Sequence, residues 1–256
     1  MPEDLPKEHM ESVREIKLAF SSDGLQLQGC LHLPDKNRPN LIIGSHGLYS
    51  SGASPKQLEL ASAFSRAGIA YFRFDHRGCG KSEGCFEEVT SLAGRRQDLI
   101  DAVTFLRSEY LLGSGLGLFG SSLGGATCLA AAPILKPHRM ATLAAPVDSR
   151  SILSAGDQVP PVEPSFFKES LQFDLRRHLG VISGLLVVHG TCDTVIPAHH
   201  AEIIYAGACD PKSRLIIPGG DHRLTQRKHQ LEFMEATLAW LMPLTQSMMP
   251  GREAPC

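Results

Sequence analysis

The stretch GLGLFGSSLGGATCLAAA, residues 115–132, opens as an apolar, strand-like run, passes two serines set among glycines, and continues in small residues. Within it, Gly120-Ser121-Ser122-Leu123-Gly124 matches the pattern G-x-S-x-G. Glycine and serine are common, so the match alone says little; a buried strand before it and a helix behind it give it weight. In a turn of that kind the central serine occupies a strained, exposed conformation, and glycines flank it because side chains would clash. The pattern puts Ser122, not Ser121, at the apex. A helix that begins there directs backbone N–H groups and its positive dipole end toward the serine. Packing offers a competing explanation, since small residues also let a helix lie close to a sheet.

Outward from this turn, the chain alternates strand-like and helix-like segments. REIKLAFSS (14–22) and GLQLQGCLHLP (24–34) alternate apolar and polar residues around Asp23-Gly24, a strong hairpin signal. Short continuous apolar runs follow: NLIIGSHG (40–47), IAYFRFDHRG (69–78), LGLFGSS (116–122), MATLAAP (140–146), LLVVHGTCD (185–193) and RLIIPGGDH (214–222). Such runs read as strands of a parallel sheet covered on both faces. PKQLELASAFSRAG (55–68) predicts a helix with Leu58, Ala61 and Phe64 near one face and Gly68 as its stop. RRQDLIDAVTFLRSE (95–109) repeats apolar residues at Leu99, Val103 and Leu106, and QLEFMEATLAWL (230–241) sets Leu231, Met234, Leu238 and Leu241 on a stripe. The fold class is therefore α/β, a three-layer α/β/α sandwich, over a single domain spanning 1–256. Residues 147–181 are too long for an ordinary connection and carry Pro160, Pro161, Pro164 and the pair Phe166-Phe167. They predict a short lid inserted between two strands.

A serine hydroxyl is a weak nucleophile at neutral pH and needs a base to take its proton. On this topology the acid and the histidine are expected at the ends of later strands, in the order serine, acid, histidine. Asp193 follows LLVV and His222 follows RLII, which satisfies the order. Asp148 also follows a strand and is the rival acid. Asp221 reads as a turn-shaping neighbour of His222, and Asp75 as a brace for its own loop. His46 and His189 precede glycines at strand ends and read as structural, whereas His199, His200 and His229 read as solvated helical positions. Acyl transfer also needs an oxyanion hole. One N–H is expected from Leu123, after the nucleophile, and the other from Leu48 in the loop GSHGLYSSG (44–52). Tyr49 is placed as a pocket wall, and Phe166 and Phe167 line the pocket if the lid folds over it.

Composition removes several classes. The 256 residues are 43% hydrophobic, ample for one sizeable core, and the net charge of −2 favours neither nucleic acid nor an anionic membrane as partner. The charged beginning of the chain lacks the apolar stretch of a signal peptide, and no run approaches the roughly 20 apolar residues of a bilayer span. The seven cysteines show no paired C-x-x-C spacing and read as free thiols of a cytoplasmic protein. The eleven histidines make no metal-ligand pair on one helix face, and no metal or cofactor is expected.

The motifs IIGSHG (42–47), FDHRGCGKSEG (74–84), GSSLGG (120–125), HGTCDTVIP (189–197) and GGDHRL (219–224) together resemble α/β-hydrolase-fold serine hydrolases. The likeness is to small bacterial carboxylesterases, the cinnamoyl/feruloyl esterases and the serine aminopeptidase-like hydrolases. It implies a mostly parallel eight-stranded sheet, a triad of Ser122, Asp193 and His222, and oxyanion donors at Leu48 and Leu123. The chain departs from the commonest pattern in having Ser121 before the nucleophile, and it lacks the HGGG loop of many lipases. The activity implied is cleavage of a small-molecule carboxylic ester, or a thioester, through an acyl-enzyme. A peptidase, or a non-catalytic binding scaffold on the same fold, stands as the alternative.

Overall fold

A computed structural model describes residues 13–150 and 171–245. Eight strands form one sheet: β1 (Val13–Ser22), β2 (Leu25–Pro34), β3 (Leu41–Ser45), β4 (Ala70–Phe74), β5 (Leu116–Ser121), β6 (Arg139–Leu143), β7 (Leu185–Gly190) and β8 (Lys212–Ile217). Their spatial order is β1-β2-β4-β3-β5-β6-β7-β8. The β1–β2 and β2–β4 pairings are antiparallel and the rest are parallel. At the hairpin tip Asp23 and Gly24 both have positive φ, 47° and 83°, as a tight two-residue turn requires.

Successive residues of a strand face opposite sides of the sheet, and the cores divide accordingly. Ile43, Phe72 and Leu118 join one core cluster; Ile42, Tyr71 and Phe119 join the other. The helices are α1 (Pro55–Arg66), α2 (Phe86–Val89), α3 (Leu92–Glu109), α4 (Leu123–Leu135), α5 (His199–Gly207) and α6 (Arg227–Leu241). Leu99, Leu129 and Ile204 bring α3, α4 and α5 onto the first face, and Leu60, Phe64 and Phe233 bring α1 and α6 onto the second. This is the three-layer α/β/α sandwich expected, with the mostly parallel eight-stranded sheet.

Two helix faces differ from the periodicity reading. Leu58 and Leu231 point outward, 41% and 51% exposed, and polar residues take the inward positions. In α1 the buried Gln57 Oε1 accepts a hydrogen bond from the Tyr71 hydroxyl at 2.7 Å, which satisfies its carbonyl end. In α6 the buried face runs through His229, Phe233, Thr237 and Leu241. His200 and His229 are accordingly buried rather than solvated. His200 sits in the first turn of α5, where its Nδ1 accepts the Val147 N–H at 3.0 Å.

Of the lid segment, residues 151–170, with Phe166 and Phe167, lie outside the described residues. Its two described ends approach each other through a bridge between Asp148 and Asp174. Among the described residues no helix is long and apolar enough to cross a membrane. Cys30, Cys79, Cys85, Cys128 and Cys192 are free thiols. Cys209 is disulfide-bonded, which corrects the all-thiol reading.

Candidate active site

The C-terminal edge of a parallel sheet gathers strand ends that are far apart in sequence. Strand β5 ends at Ser121 and α4 begins at Leu123, which leaves Ser122 alone to make the turn. Its backbone sits at φ 52°, ψ −124°, a region costing a non-glycine residue of order 1–3 kcal/mol. The Ser122 N–H donates to Leu143 O at 2.7 Å and ties the turn to the neighbouring strand. The turn closes so tightly that a Cβ on Gly120 would stand 2.3 Å from Gly124 O. One on Gly124 would stand 2.1 Å from Ser45 O. The glycines are thus required by the approach of α4 to β5 and β3.

His222 arrives from the loop after β8 and Asp193 from the loop after β7. Those loops are stitched together: Cys192 N donates to Gly220 O at 2.9 Å, and Gly219 N donates to Thr191 Oγ1 at 2.8 Å. His222 Nδ1 lies 2.8 Å from Asp193 Oδ2, and Nε2 lies 3.1 Å from Ser122 Oγ. With Nδ1–H donated to the carboxylate, Nε2 keeps its lone pair for the serine proton. Asp193 is itself held. Its Oδ1 accepts from Val195 N at 2.9 Å and Ile196 N at 2.8 Å, and His189 Nε2 stands 3.2 Å from Oδ2. Burial pushes the Asp193 carboxyl up, but hydrogen bonds from His189 and His222 outweigh it and hold it well below the usual carboxylate range.

The other candidates fall into separate places. Asp148 pairs with Arg150 at 2.7 Å and Arg176 at 2.6 Å. Asp221 accepts from the backbone N–H groups of Arg223 and Thr225 and from the Thr225 hydroxyl, shaping the turn after His222. Asp75 accepts from Gly52 N and Lys81 N, so it braces two loops rather than one.

Gly47 brings the loop after β3 beside Ser122, where a Cβ on it would sit 3.6 Å from the serine Cβ. The N–H groups of Leu48 and Leu123, both on buried residues, meet no acceptor among the described residues. Leu123 opens α4, whose first N–H groups have no intrahelical partner, and Leu48 follows Gly47 in the loop beside Ser122. An oxyanion could accept from both.

A cleft of about 930 Å³ opens at Ser122 and His222. Tyr49 borders it, 42% exposed, with its ring tilted against Phe86 at 5.4 Å between centroids. Further walls come from the start of α1, at Pro55 and Lys56, from α6, at Phe233 and Met234, over Leu143, and from the loop after β7 at Val195 and Ile196. The residue pattern alone did not single these out. The available signal was topological, because α1 and α6 follow the two loops that carry Leu48 and His222 and so must border the same edge.

The family model for serine aminopeptidase, S33, matches residues 36–163. The uncharacterised protein YfhR of Escherichia coli K12 is 32% identical over 212 residues, covering 79% of this chain and 71% of YfhR. Among solved structures, the Pyrococcus furiosus esterase Pf2001 superposes with a TM-score of 0.78 at 17% identity, covering 96% of each chain. Est1E from Butyrivibrio proteoclasticus, solved with ferulic acid bound, gives 0.75 at 18% identity, covering 89% of this chain and 98% of that one. Fold, family model and relatives agree, and the chain belongs to the serine aminopeptidase S33 family of α/β-hydrolase-fold hydrolases.

Proposed function

We propose that the protein is a serine hydrolase that cleaves a small-molecule carboxylic ester through an acyl-enzyme on Ser122. The observation that carries this reading is the hydrogen-bonded chain Ser122–His222–Asp193, beside the N–H groups of Leu48 and Leu123, which meet no acceptor among the described residues. His222 Nε2 takes the serine proton as Oγ attacks the ester carbonyl, and the resulting oxyanion accepts from Leu48 N and Leu123 N. His222 then gives the proton to the leaving alcohol. Water, activated by the same Nε2, releases the acid. Asp193 holds the imidazole in the required tautomer and stabilises its positive charge. Each oxyanion donor is worth on the order of 10²–10³ in kcat.

Support for an ester comes from the fold shared with the Pyrococcus esterase and with the ferulic acid-bound Est1E, and from the apolar inner wall of the cleft at Leu143, Phe233 and Met234. Tyr49 is proposed as its outer wall. No cofactor enters this mechanism. The family model's own description favours an aminopeptidase as the second reading; such a substrate presents a free amine, and Glu59 is a carboxylate at the cleft. Cytoplasmic residence is proposed on the five free thiols, with the bonded Cys209 standing against it.

Hydrolysis of p-nitrophenyl esters, thioesters and aminoacyl p-nitroanilides by wild type and Ser122→Ala tests the proposal. Expected is ester turnover that Ser122→Ala abolishes, with anilide turnover at least tenfold slower in kcat/KM. Faster turnover of the anilides would assign the peptidase instead.

A further inference from the structure

Leu48 N–H can serve an oxyanion only if its peptide plane is held in one orientation, and the loop that carries it has no regular secondary structure to hold it. Two successive carbonyls of this loop are nonetheless tied. Arg95 Nη2 donates to His46 O. His46 Nδ1 lies 2.7 Å from Gly47 O, and His46 Nε2 lies 3.0 Å from the backbone N of His76. An amide N–H only donates and a carbonyl only accepts, so the ring is a neutral imidazole with its proton on Nδ1. The Gly47 carbonyl and the Leu48 N–H belong to the same peptide unit. That unit is planar and trans, so its C=O and N–H point in opposite directions. A bond that draws the carbonyl onto the buried imidazole therefore turns the N–H away from it, on the residue that lines the cleft.

The backing of this loop is polar and sealed from solvent. Arg95 is fully buried, and its Nε and Nη1 have no hydrogen-bond partner among the described residues. A buried guanidinium with unpaired N–H groups is costly to a fold, and among the described residues Arg95 spends its Nη2 hydrogen bond on the carbonyl preceding Gly47. That carbonyl is also wedged against α4, since a Cβ on Gly124 would stand 2.6 Å from it. Arg95 thus acts where the Leu48 loop meets the helix that carries Leu123. Behind it, Ser45 Oγ lies 2.8 Å from His76 Nε2, and His76 Nδ1 lies 3.1 Å from Asp98 Oδ2, with all three residues fully buried. Substrate cannot reach this second Ser–His–Asp chain, so it serves as a tie between β3, β4 and α3.

We propose that His46 and Arg95 are positioning residues of the oxyanion hole, which clamp the Gly47 and His46 carbonyls and so fix the direction of the Leu48 N–H. This rests on the ester-hydrolase reading for its kinetic consequence but not for its geometry.

Two substitutions at His46 separate its roles. The side-chain amide of His46→Asn can stand near Nδ1 and keep the bond to Gly47 O. His46→Gln can stand near Nε2, keeping the acceptor for His76 N while releasing Gly47 O. Expected is a fall in kcat of about 10² for His46→Gln with KM within threefold, and kcat within fivefold of wild type for His46→Asn. Arg95→Met is expected to lower kcat at least tenfold, again with KM unchanged. A crystal structure of His46→Gln should show the Gly47–Leu48 peptide rotated, whatever the activity. An unrotated peptide in that structure, equal kcat losses in the two His46 variants, or loss of folding in both overturns the proposal. A wild-type protein inert toward esters but with the rotated peptide in His46→Gln would instead remove the ester reading and leave the clamp standing.

Discussion

His189 Nε2 stands 3.2 Å from the Asp193 carboxylate, four residues along the chain, and 2.7 Å from Ile196 O. One N–H thus spans the two ends of the turn that presents the acid. A carbonyl accepts only, so the proton sits on Nε2 and His189 donates along both directions.

Removing that donor while keeping volume, as in His189→Phe, is expected to lower kcat by about tenfold with little change in KM. The carboxylate keeps two backbone N–H donors and His222, so its orientation is loosened rather than lost. Steady-state kinetics on a p-nitrophenyl ester checks this. A variant with wild-type kcat would confine His189 to holding the Ile196 carbonyl.

Asp193→Asn and Asp148→Asn should diverge sharply. The first is expected to fold normally and lose on the order of 10⁴ in kcat, because an amide cannot support the imidazolium as a carboxylate does. The second is expected to keep its activity and lose about 1 kcal/mol of stability, since it breaks partly exposed pairs with Arg150 and Arg176. Hydrogen bonds from Arg150 and Arg176 outweigh burial and hold the Asp148 carboxyl below its usual range. Its contribution is present above pH ~4 and is lost as pH falls further. Kinetics and urea midpoints of both variants at pH 7.5 check the pair; a large kcat loss in Asp148→Asn contradicts the choice of acid.

Stability should also fall in a separate, higher pH window. Burial, with Arg95 beside both, holds His46 and His76 well below the usual histidine range; burial and His199 bring His200 to about 4. These rings stay neutral in the folded protein, whereas the unfolded chain takes up their protons below pH ~6.5. The folded state is then disfavoured by about 1.4 kcal/mol per pH unit for each ring. Urea midpoints at pH 8.0, 6.5 and 5.0 should be highest at 8.0, slightly lower at 6.5 and clearly lower at 5.0. A flat profile contradicts the burial of neutral rings.

Much of the fold is legible in the sequence because local chemistry carried it. Asp23-Gly24 marks the hairpin, and the apolar runs mark strands covered on both faces. Ser122 stands out because Gly120 and Gly124 are demanded by contacts under 3 Å. Helix faces were less legible. Leu58 and Leu231 follow an apolar spacing yet face outward, since Gln57 and His229 take the inward positions, and periodicity cannot see that the Tyr71 hydroxyl on β4 is there to meet the Gln57 carbonyl. Arg95 is the sharper case. A charge within a helical run reads as a solvated face, and only the meeting of α3 with the loop after β3 reveals it as buried. The cleft walls on α1 and α6 were hidden for the same reason, being products of topology rather than of any local motif.

Those walls carry a prediction about specificity. Phe233 and Met234 bound the cleft with Leu143, so Met234→Trp should shorten it and Phe233→Ala should lengthen it. Across p-nitrophenyl esters of increasing acyl length, the optimum in kcat/KM is expected to move to shorter chains in the first and longer in the second. Phe233 is fully buried, so the second variant should also lose about 3–5 kcal/mol of stability. An unchanged length profile in both variants places the acyl group elsewhere.

On the proposed mechanism Ser122, alone among the serines, is activated by His222. Treatment of the folded protein with a fluorophosphonate, followed by peptide mass spectrometry, checks this. Expected is a single adduct on Ser122, formed rapidly in wild type and at least 10³-fold more slowly in Asp193→Asn. An adduct on Ser121, or no adduct under conditions where the protein is folded, would contradict it.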